Sequence, residues 1–138
     1  WPNIDAGSDI FSKEIRSFRE SENPSNIYFH KNFSAEHYAY LLSKAKCIFG
    51  NSSSAIREGS YFGTPAVNIG NRQFGREIAN NVINTKYSSK DIIKAVTKQL
   101  NHNKYKKSFL YGNGTAGLKI AKILAKTKLD IFKKLNYF

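Results

Sequence analysis

Two stretches of the chain hold the residue types best suited to gripping an anion. The first is Gly50-Asn51-Ser52-Ser53-Ser54, followed by Arg57-Glu58. The second is Asn68-Ile69-Gly70-Asn71-Arg72-Gln73-Phe74-Gly75-Arg76-Glu77. Gly50-Asn51 allows a tight turn and close backbone approach. The serines then meet an expected helix N-terminus, which combines free N–H groups, hydroxyl donors and the positive end of a helix dipole. Glu58 stands one turn beyond Ser54 on the same face, where a carboxylate can accept hydrogen bonds from two ribose hydroxyls while the helix start holds phosphate. The planar guanidinium of Arg72 suits a diphosphate, which it can bind through paired N–H groups. Blander roles compete with each of these. The serines can simply cap the helix, Glu58 can be solvated, and Arg72 can pair with Glu77. Asn3, Asp5 and Gly7 make a third such loop, in which capping of the first helix is the preferred role for Asp5.

Other chemistries find little support. His30, His37 and His102 lack metal-ligand spacing and Cys47 lies in an apolar run, so no metal site is expected. No Ser/His/Asp arrangement and no G-x-x-x-x-G-K-[ST] phosphate loop is present. The aromatic residues sit in apolar stripes, where packing explains them better than base stacking.

The elements that would position these loops alternate between helix and strand. Phe11, Ile15 and Phe18 make one helical stripe over residues 8–20. Ile27-Tyr28-Phe29 reads as a short strand. Ser34 can cap a helix that buries Tyr38, Leu41, Leu42 and Ala45. Lys46 to Phe49 is a strand, Ser54 to Phe62 a helix, and Gly63-Thr64-Pro65 a break. Ala66 to Ile69 and Asn81 to Asn84 are further strands. Ser88 with Asp91 forms a capping-box arrangement for a helix carrying Ile92, Ile93, Val96 and Leu100. After the Gly112-Asn113-Gly114 loop, Thr115 is expected to cap a helix with Ile120, Ile123 and Leu124 inward. Residues 129–138 read as a last helix, and Trp1-Pro2-Asn3 as the end of a strand. Short β-runs separated by helices of about ten residues argue for one α/β layer domain with a mostly parallel sheet, covered on both faces. Ligands of such sheets bind beyond the carboxyl ends of the strands.

The chain has 138 residues, 41% of them hydrophobic, enough for one domain with a real core. It has no Met and opens on Trp1, so it is expected to be a piece of a longer protein. No run approaches the ~18 apolar residues of a membrane span. The single cysteine excludes a disulfide framework, which suits the cytoplasm. The net charge of +12 is unevenly spread. Residues 1–85 carry nine Lys/Arg against eight Asp/Glu, and nearly all of the excess lies in lysines of the second half. A solvated lysine face is the simpler reading, with a polyanion surface as the alternative.

Several strings, taken together and in order, resemble one family. They are Asn3-Ile4-Asp5-Ala6-Gly7-Ser8, Gly50-Asn51-Ser52-Ser53-Ser54, Arg57-Glu58, Phe62-Gly63-Thr64-Pro65, Asn68-Ile69-Gly70 with Arg72-Gln73 and Gly75-Arg76-Glu77, and Tyr111-Gly112-Asn113-Gly114. They resemble the hydrolysing UDP-N-acetylglucosamine 2-epimerases, over residues 1 to about 125. The resemblance implies a GT-B-like enzyme of two Rossmann-like domains facing a cleft, with this chain as the C-terminal, UDP-binding one. It implies that Ser52 and Ser53 are diphosphate ligands, Arg72 a phosphate ligand and Glu58 a ribose ligand. Asn3 would line the cleft near the nucleotide, and Phe33 would lie by the uracil. The implied reaction releases UDP and N-acetylmannosamine for sialic-acid-type sugars, without a cofactor. The implied catalytic acid and base lie upstream of Trp1, in the missing N-terminal domain, and the full-length protein would be a homo-oligomer. Asn113 departs from the pattern, since related sequences usually carry Asp there.

Three alternatives remain at the level of sequence. A UDP-N,N'-diacetylbacillosamine 2-epimerase differs only in sugar-contacting residues that mostly fall outside this chain. A GT-B glycosyltransferase would need an acceptor site. A basic nucleic-acid-binding module would lose affinity steeply with salt.

Overall fold

Three short apolar runs, each entered from a Pro, Asn or Lys-rich turn, pair side by side in the computed structural model, which describes residues 8–128. They are β1 (Ile48–Gly50), β2 (Ala66–Ile69) and β3 (Val82–Thr85). All pairings are parallel and the strand order is β1-β2-β3. Gly50 stands opposite Asn68, and Asn68 opposite Asn84, so the three chains leave the sheet at one common edge. The fold is α/β with a parallel sheet, as in a Rossmann-like domain.

The described helices are α1 (Ser8–Glu22), α2 (Ala35–Lys44), α3 (Glu58–Phe62), α4 (Ser89–His102) and α5 (Ala116–Leu124). The chain divides into two compact units, residues 1–41 and 42–138. The first holds α1, the start of α2 and the segment between them. The second holds the sheet. None of the described helices is long and apolar enough to cross a membrane.

β2 is the central strand, and Ala66, Val67 and Asn68 are all buried. That is the pattern of a parallel strand covered on both faces. Ala55, Ile56, Ala66 and Val82 form the core, with Ile48 packed against it. α4 lies on β2 and β3. Its start is fixed as expected, with the Ser88 side chain accepting the Asp91 N–H at 3.3 Å. Ser34 likewise accepts the His37 N–H at the start of α2.

The edge at which β2 and β3 begin is closed by buried hydrogen bonds. Gln99, fully buried in α4, donates through Nε2 to the carbonyls of Ala66 and Asn81, each at 2.7 Å, and accepts from the Tyr105 hydroxyl. Asn81 donates to the Thr64 carbonyl at 2.8 Å. Thr64 Oγ1 donates to the Leu42 carbonyl and accepts from Lys104 Nζ. Desolvation, with Lys44 nearby, holds Lys104 below the usual lysine range.

Several expectations need correction. Ile27–Phe29 is not a strand. It has no ladder partner among the described residues, and Tyr28 is 81% exposed, so so short a run lacks the burial to hold a pairing. The helix expected over 54–62 is broken into a 3₁₀ turn (Ser53–Ala55) and the short α3. The β2–β3 connection, residues 70–81, contains no helix. In α4 the buried positions are Ala95 and Gln99, while Ile93 and Leu100 are exposed. In α2, Leu42 is buried but Leu41 is exposed. The inward stripe expected of α5 is absent: Ile120, Ile123 and Leu124 are each more than half exposed. Thr115 does not cap α5 with its side chain. Instead Asn113 Oδ1 accepts both the Thr115 N–H and its hydroxyl, at 3.2 and 2.6 Å. Cys47 is only partly buried, and that burial pushes its thiol pKa up. The readings placed on residues 1–7 and 129–138, including the opening strand and the last helix, lie outside the described residues.

Candidate functional site

The carboxyl edge of the sheet is where the two anion-suited loops emerge. β1 ends in Gly50, whose φ of +144° turns the chain sharply into Asn51. β2 ends in Ile69, and Gly70 extends its pairing by donating to the Thr85 carbonyl at 2.8 Å. Gly70 has φ of +78° and carries the chain round towards Arg72. Two tight turns follow, closed by Phe74 N–H to the Asn71 carbonyl and Arg76 N–H to the Gln73 carbonyl.

The two loops then meet at one atom. The Asn51 carbonyl accepts from Arg72 Nη1 at 3.1 Å and from Gln73 Nε2 at 2.7 Å. Arg72 is exposed, whereas Gln73 is buried. Arg72 and the Gly50–Ser54 turn therefore share one edge, as a common anion site requires.

The serines hold the turn in shape. Ser52 is the N-cap of the 3₁₀ turn, and its Oγ accepts the Ser54 N–H at 3.4 Å and lies 3.0 Å from Ser54 Oγ. The Ser53 carbonyl accepts the N–H groups of Ile56 and Arg57. The serines thus do cap, as their blander role holds, and a turn this short contributes little macrodipole. What the turn offers is a set of hydroxyls held by their own hydrogen bonds, on the sheet edge that also carries Arg72. Glu58 is exposed at the first position of α3. α3 is anchored beneath it by buried Gly59 and Ser60, the latter donating to the Arg57 carbonyl at 2.8 Å.

Neighbouring segments brace the second loop. The Tyr111 hydroxyl donates to the Glu77 carbonyl, which ties the 111–114 loop to the Arg72–Glu77 loop. Asn113 keeps that loop folded through its side-chain oxygen, the atom type an Asp would supply. Between β2 and β3, Asn68 Nδ2 donates to Asn84 Oδ1 at 2.8 Å. Asn68 Oδ1 and Gln73 Oε1 are buried without a hydrogen-bond partner among the described residues.

Phe33 belongs to the first unit, described by itself. It stacks at a tilt on His30 with ring centroids 4.7 Å apart. Together with Ile15, Tyr28, Phe29 and His30 it lines a cavity of about 260 Å³. Asn3 lies outside the described residues. The structure thus brings Ser52, Ser53 and Arg72 to one sheet edge and Glu58 to the helix that follows. Sequence reasoning passed over the Asn51 carbonyl and Gln73, because a contact between residues so far apart in the chain leaves no local pattern.

Comparison with known proteins agrees with the strings that define these loops. Residues 1–125 match the family described as UDP-N-acetylglucosamine 2-epimerase. The chain is 27% identical over 114 residues to a UDP-N-acetylglucosamine 2-epimerase of Neisseria meningitidis serogroup B, covering 83% of this chain and 29% of that protein. It is 29% identical over 139 residues to a UDP-N,N'-diacetylbacillosamine 2-epimerase (hydrolyzing) of Legionella pneumophila, covering 99% of this chain and 36% of the relative. It is 32% identical over 89 residues to a GDP/UDP-N,N'-diacetylbacillosamine 2-epimerase (hydrolyzing) of Campylobacter jejuni, covering 64% and 23%. The chain therefore spans roughly a third or less of the length of these relatives. With a family match over nine-tenths of its length and a parallel α/β sheet, the chain belongs to the UDP-N-acetylglucosamine 2-epimerase family.

Proposed function

We propose that this chain is the UDP-gripping, C-terminal Rossmann-like domain of a GT-B-like hydrolysing UDP-sugar 2-epimerase. The observation that carries the reading is the meeting of Arg72 and the Gly50–Ser54 turn at the Asn51 carbonyl, on the carboxyl edge of a parallel sheet. In this reading Arg72, Ser52 and Ser53 hold the diphosphate, and Glu58 accepts from the ribose hydroxyls. Phe33 lies by the uracil and Asn3 lines the cleft. The substrate is UDP-N-acetylglucosamine, and the products are UDP and N-acetylmannosamine, feeding sialic-acid-type sugars in the cytoplasm.

The chemistry follows from what such a grip can do. A base removes the proton from C2 of the sugar, the C1–O bond to UDP breaks, and an unsaturated sugar forms. Water then adds its hydroxyl to C1 and a proton returns to C2 from the opposite face. Negative charge grows on the departing diphosphate, so a fixed guanidinium beside it lowers the barrier. The acid and base belong to the part of the enzyme upstream of Trp1. The isolated chain then binds UDP weakly and turns over no substrate.

A second reading is favoured by the similarity to the Legionella and Campylobacter proteins: the substrate sugar is N,N'-diacetylbacillosamine on UDP. Both readings use the same nucleotide grip and differ in the sugar. Incubating the full-length enzyme with each UDP-sugar and following UDP release decides between them. UDP released with free N-acetylmannosamine supports the first. Release from neither sugar would overturn both readings, and measurable turnover by residues 1–138 alone would show that the catalytic groups are misplaced.

A further inference from the structure

The 3₁₀ turn and α3 replace one continuous helix, and a single buried amide bridges the two pieces. Asn81 is 2% exposed. Its Nδ2 donates to the carbonyl of Ala55, the last residue of the turn, at 3.4 Å. It also donates at 2.8 Å to the carbonyl of Thr64, just past α3. Thr64 is itself tied to α3, because its N–H donates to the Gly59 carbonyl at 2.9 Å. Asn81 Oδ1 is buried with no partner among the described residues. Rotating the amide would set that oxygen against two carbonyls, so Nδ2 has to face them. A second contact joins the same two pieces. A Cβ on buried Gly59 would lie 3.3 Å from the Ser54 carbonyl oxygen, so glycine lets α3 sit closer to the turn than another residue would.

Resting on the proposed function, we propose that Asn81, with Gly59, is a positioning residue that sets the spacing between the serine hydroxyls and Glu58. Ser52 and Ser53 belong to the turn and Glu58 to α3. In the proposed function the serines hold the diphosphate and Glu58 the ribose, so one UDP molecule spans both pieces. Two half-sites held at a matching separation act on a joined ligand at high effective concentration. That advantage shrinks when the separation drifts. Uridine or free diphosphate engages one piece only and does not register the spacing. Asn81, being buried, acts through the two pieces it bridges.

Titrating the full chain with UDP, uridine and inorganic diphosphate tests this, with amide shifts in NMR spectra reading even weak affinities. Asn81→Leu keeps the approximate size and branching of the side chain but removes its donor. It is expected to weaken UDP about tenfold and to leave uridine and diphosphate each within about twofold. A merely structural role would move all three ligands together or none of them. Gly59→Ala leaves both Asn81 bonds in place and makes the Ser54 carbonyl give by a few tenths of an ångström. It should weaken UDP by about threefold or more with the same split, and it carries the test should Asn81→Leu not fold. UDP affinity unchanged in Asn81→Leu, or in Gly59→Ala where that variant stands in, overturns the spacing role alone. So does a loss for UDP no larger than the loss for uridine or diphosphate. A wild-type chain that binds no UDP overturns the spacing role together with the proposed function.

Discussion

The ring of Tyr87 lies over Gly70 so closely that a Cβ on Gly70 would fall 2.1 Å from Tyr87 Cζ. Gly70 also has φ of +78°, a conformation L side chains rarely adopt. It ends the central strand and starts the turn that carries Arg72, so one residue meets both a backbone and a packing demand. Gly70→Ala is expected to lose about 1–2 kcal/mol to the backbone alone, with a further part for displacing the ring. Tyr87 is 73% exposed, so its ring can swing aside. Removing it in Gly70→Ala/Tyr87→Ala should recover the second part and leave the first. Urea titrations of the wild type and the two variants measure both. A loss under about 0.5 kcal/mol for Gly70→Ala would contradict the assignment.

A second prediction concerns the opposite edge of the sheet. Gln99→Leu keeps the approximate size of the side chain but removes one donor from each of the Ala66 and Asn81 carbonyls, the latter still holding the Ala66 N–H, and removes the acceptor of the Tyr105 hydroxyl. Each of the three lost hydrogen bonds is worth about 0.5–1.5 kcal/mol, so the variant should lose about 1.5–4.5 kcal/mol of a domain stable by roughly 5–15 kcal/mol. Thermal unfolding gives the answer. An unchanged midpoint would mean that the network is not what closes this edge.

Packing in the core gives a third. Ile56 is fully buried among Ala55, Ala66 and Val82. Ile56→Ala should cost about 2–5 kcal/mol in denaturant, far more than Ile93→Ala on the exposed side of α4. Equal losses at the two positions would place the core elsewhere.

Cys47 supplies a pH test. Burial raises its thiol pKa above the ordinary cysteine value. A raised folded-state pKa favours the protonated form in the native protein. Its contribution is therefore complete below the unfolded pKa and is lost as pH rises through the folded one. Alkylation by iodoacetamide at neutral pH should be slower than that of a free cysteine and should accelerate only at more alkaline pH. A rate equal to that of a model thiol across the range would contradict the burial.

Much of this organisation was legible in the residues, for identifiable reasons. Ala66–Ile69 and residues 81–84 are apolar runs bounded by turn residues, and such runs become strands when neighbours exist to pair with them. Ser34 and Ser88 were readable as caps because capping is local, spanning only three residues. Ile27–Phe29 has the same composition as a strand, but pairing depends on what lies alongside, and no sequence window contains that. Ile120, Ile123 and Leu124 carry an apolar stripe that is exposed here, because periodicity gives a face without giving its cover. Gln99 was hidden by its polarity: a glutamine on a helix reads as solvent-facing until its three partners are known. At the candidate site, Ser52, Ser53, Glu58 and Arg72 were legible as residue types at loop positions. The sharing of Asn51 between Arg72 and Gln73 was not, since it is a tertiary contact.

The central claim is that Arg72 serves phosphate and Glu58 serves ribose, and one calorimetric comparison of UDP with uridine tests it most directly. Both ligands carry the ribose, and only UDP carries the diphosphate. Losing a charged partner should cost about 1.5–3 kcal/mol, or roughly 10- to 150-fold in affinity. Glu58→Ala is therefore expected to weaken UDP and uridine by a similar factor, whereas Arg72→Ala weakens UDP alone. Replacing lysines of α5, such as Lys119 and Lys122, should leave both affinities nearly unchanged at moderate salt, where distant charges are screened. Equal weakening of the two ligands by Arg72→Ala, or no weakening of either by Glu58→Ala, would contradict the assigned roles.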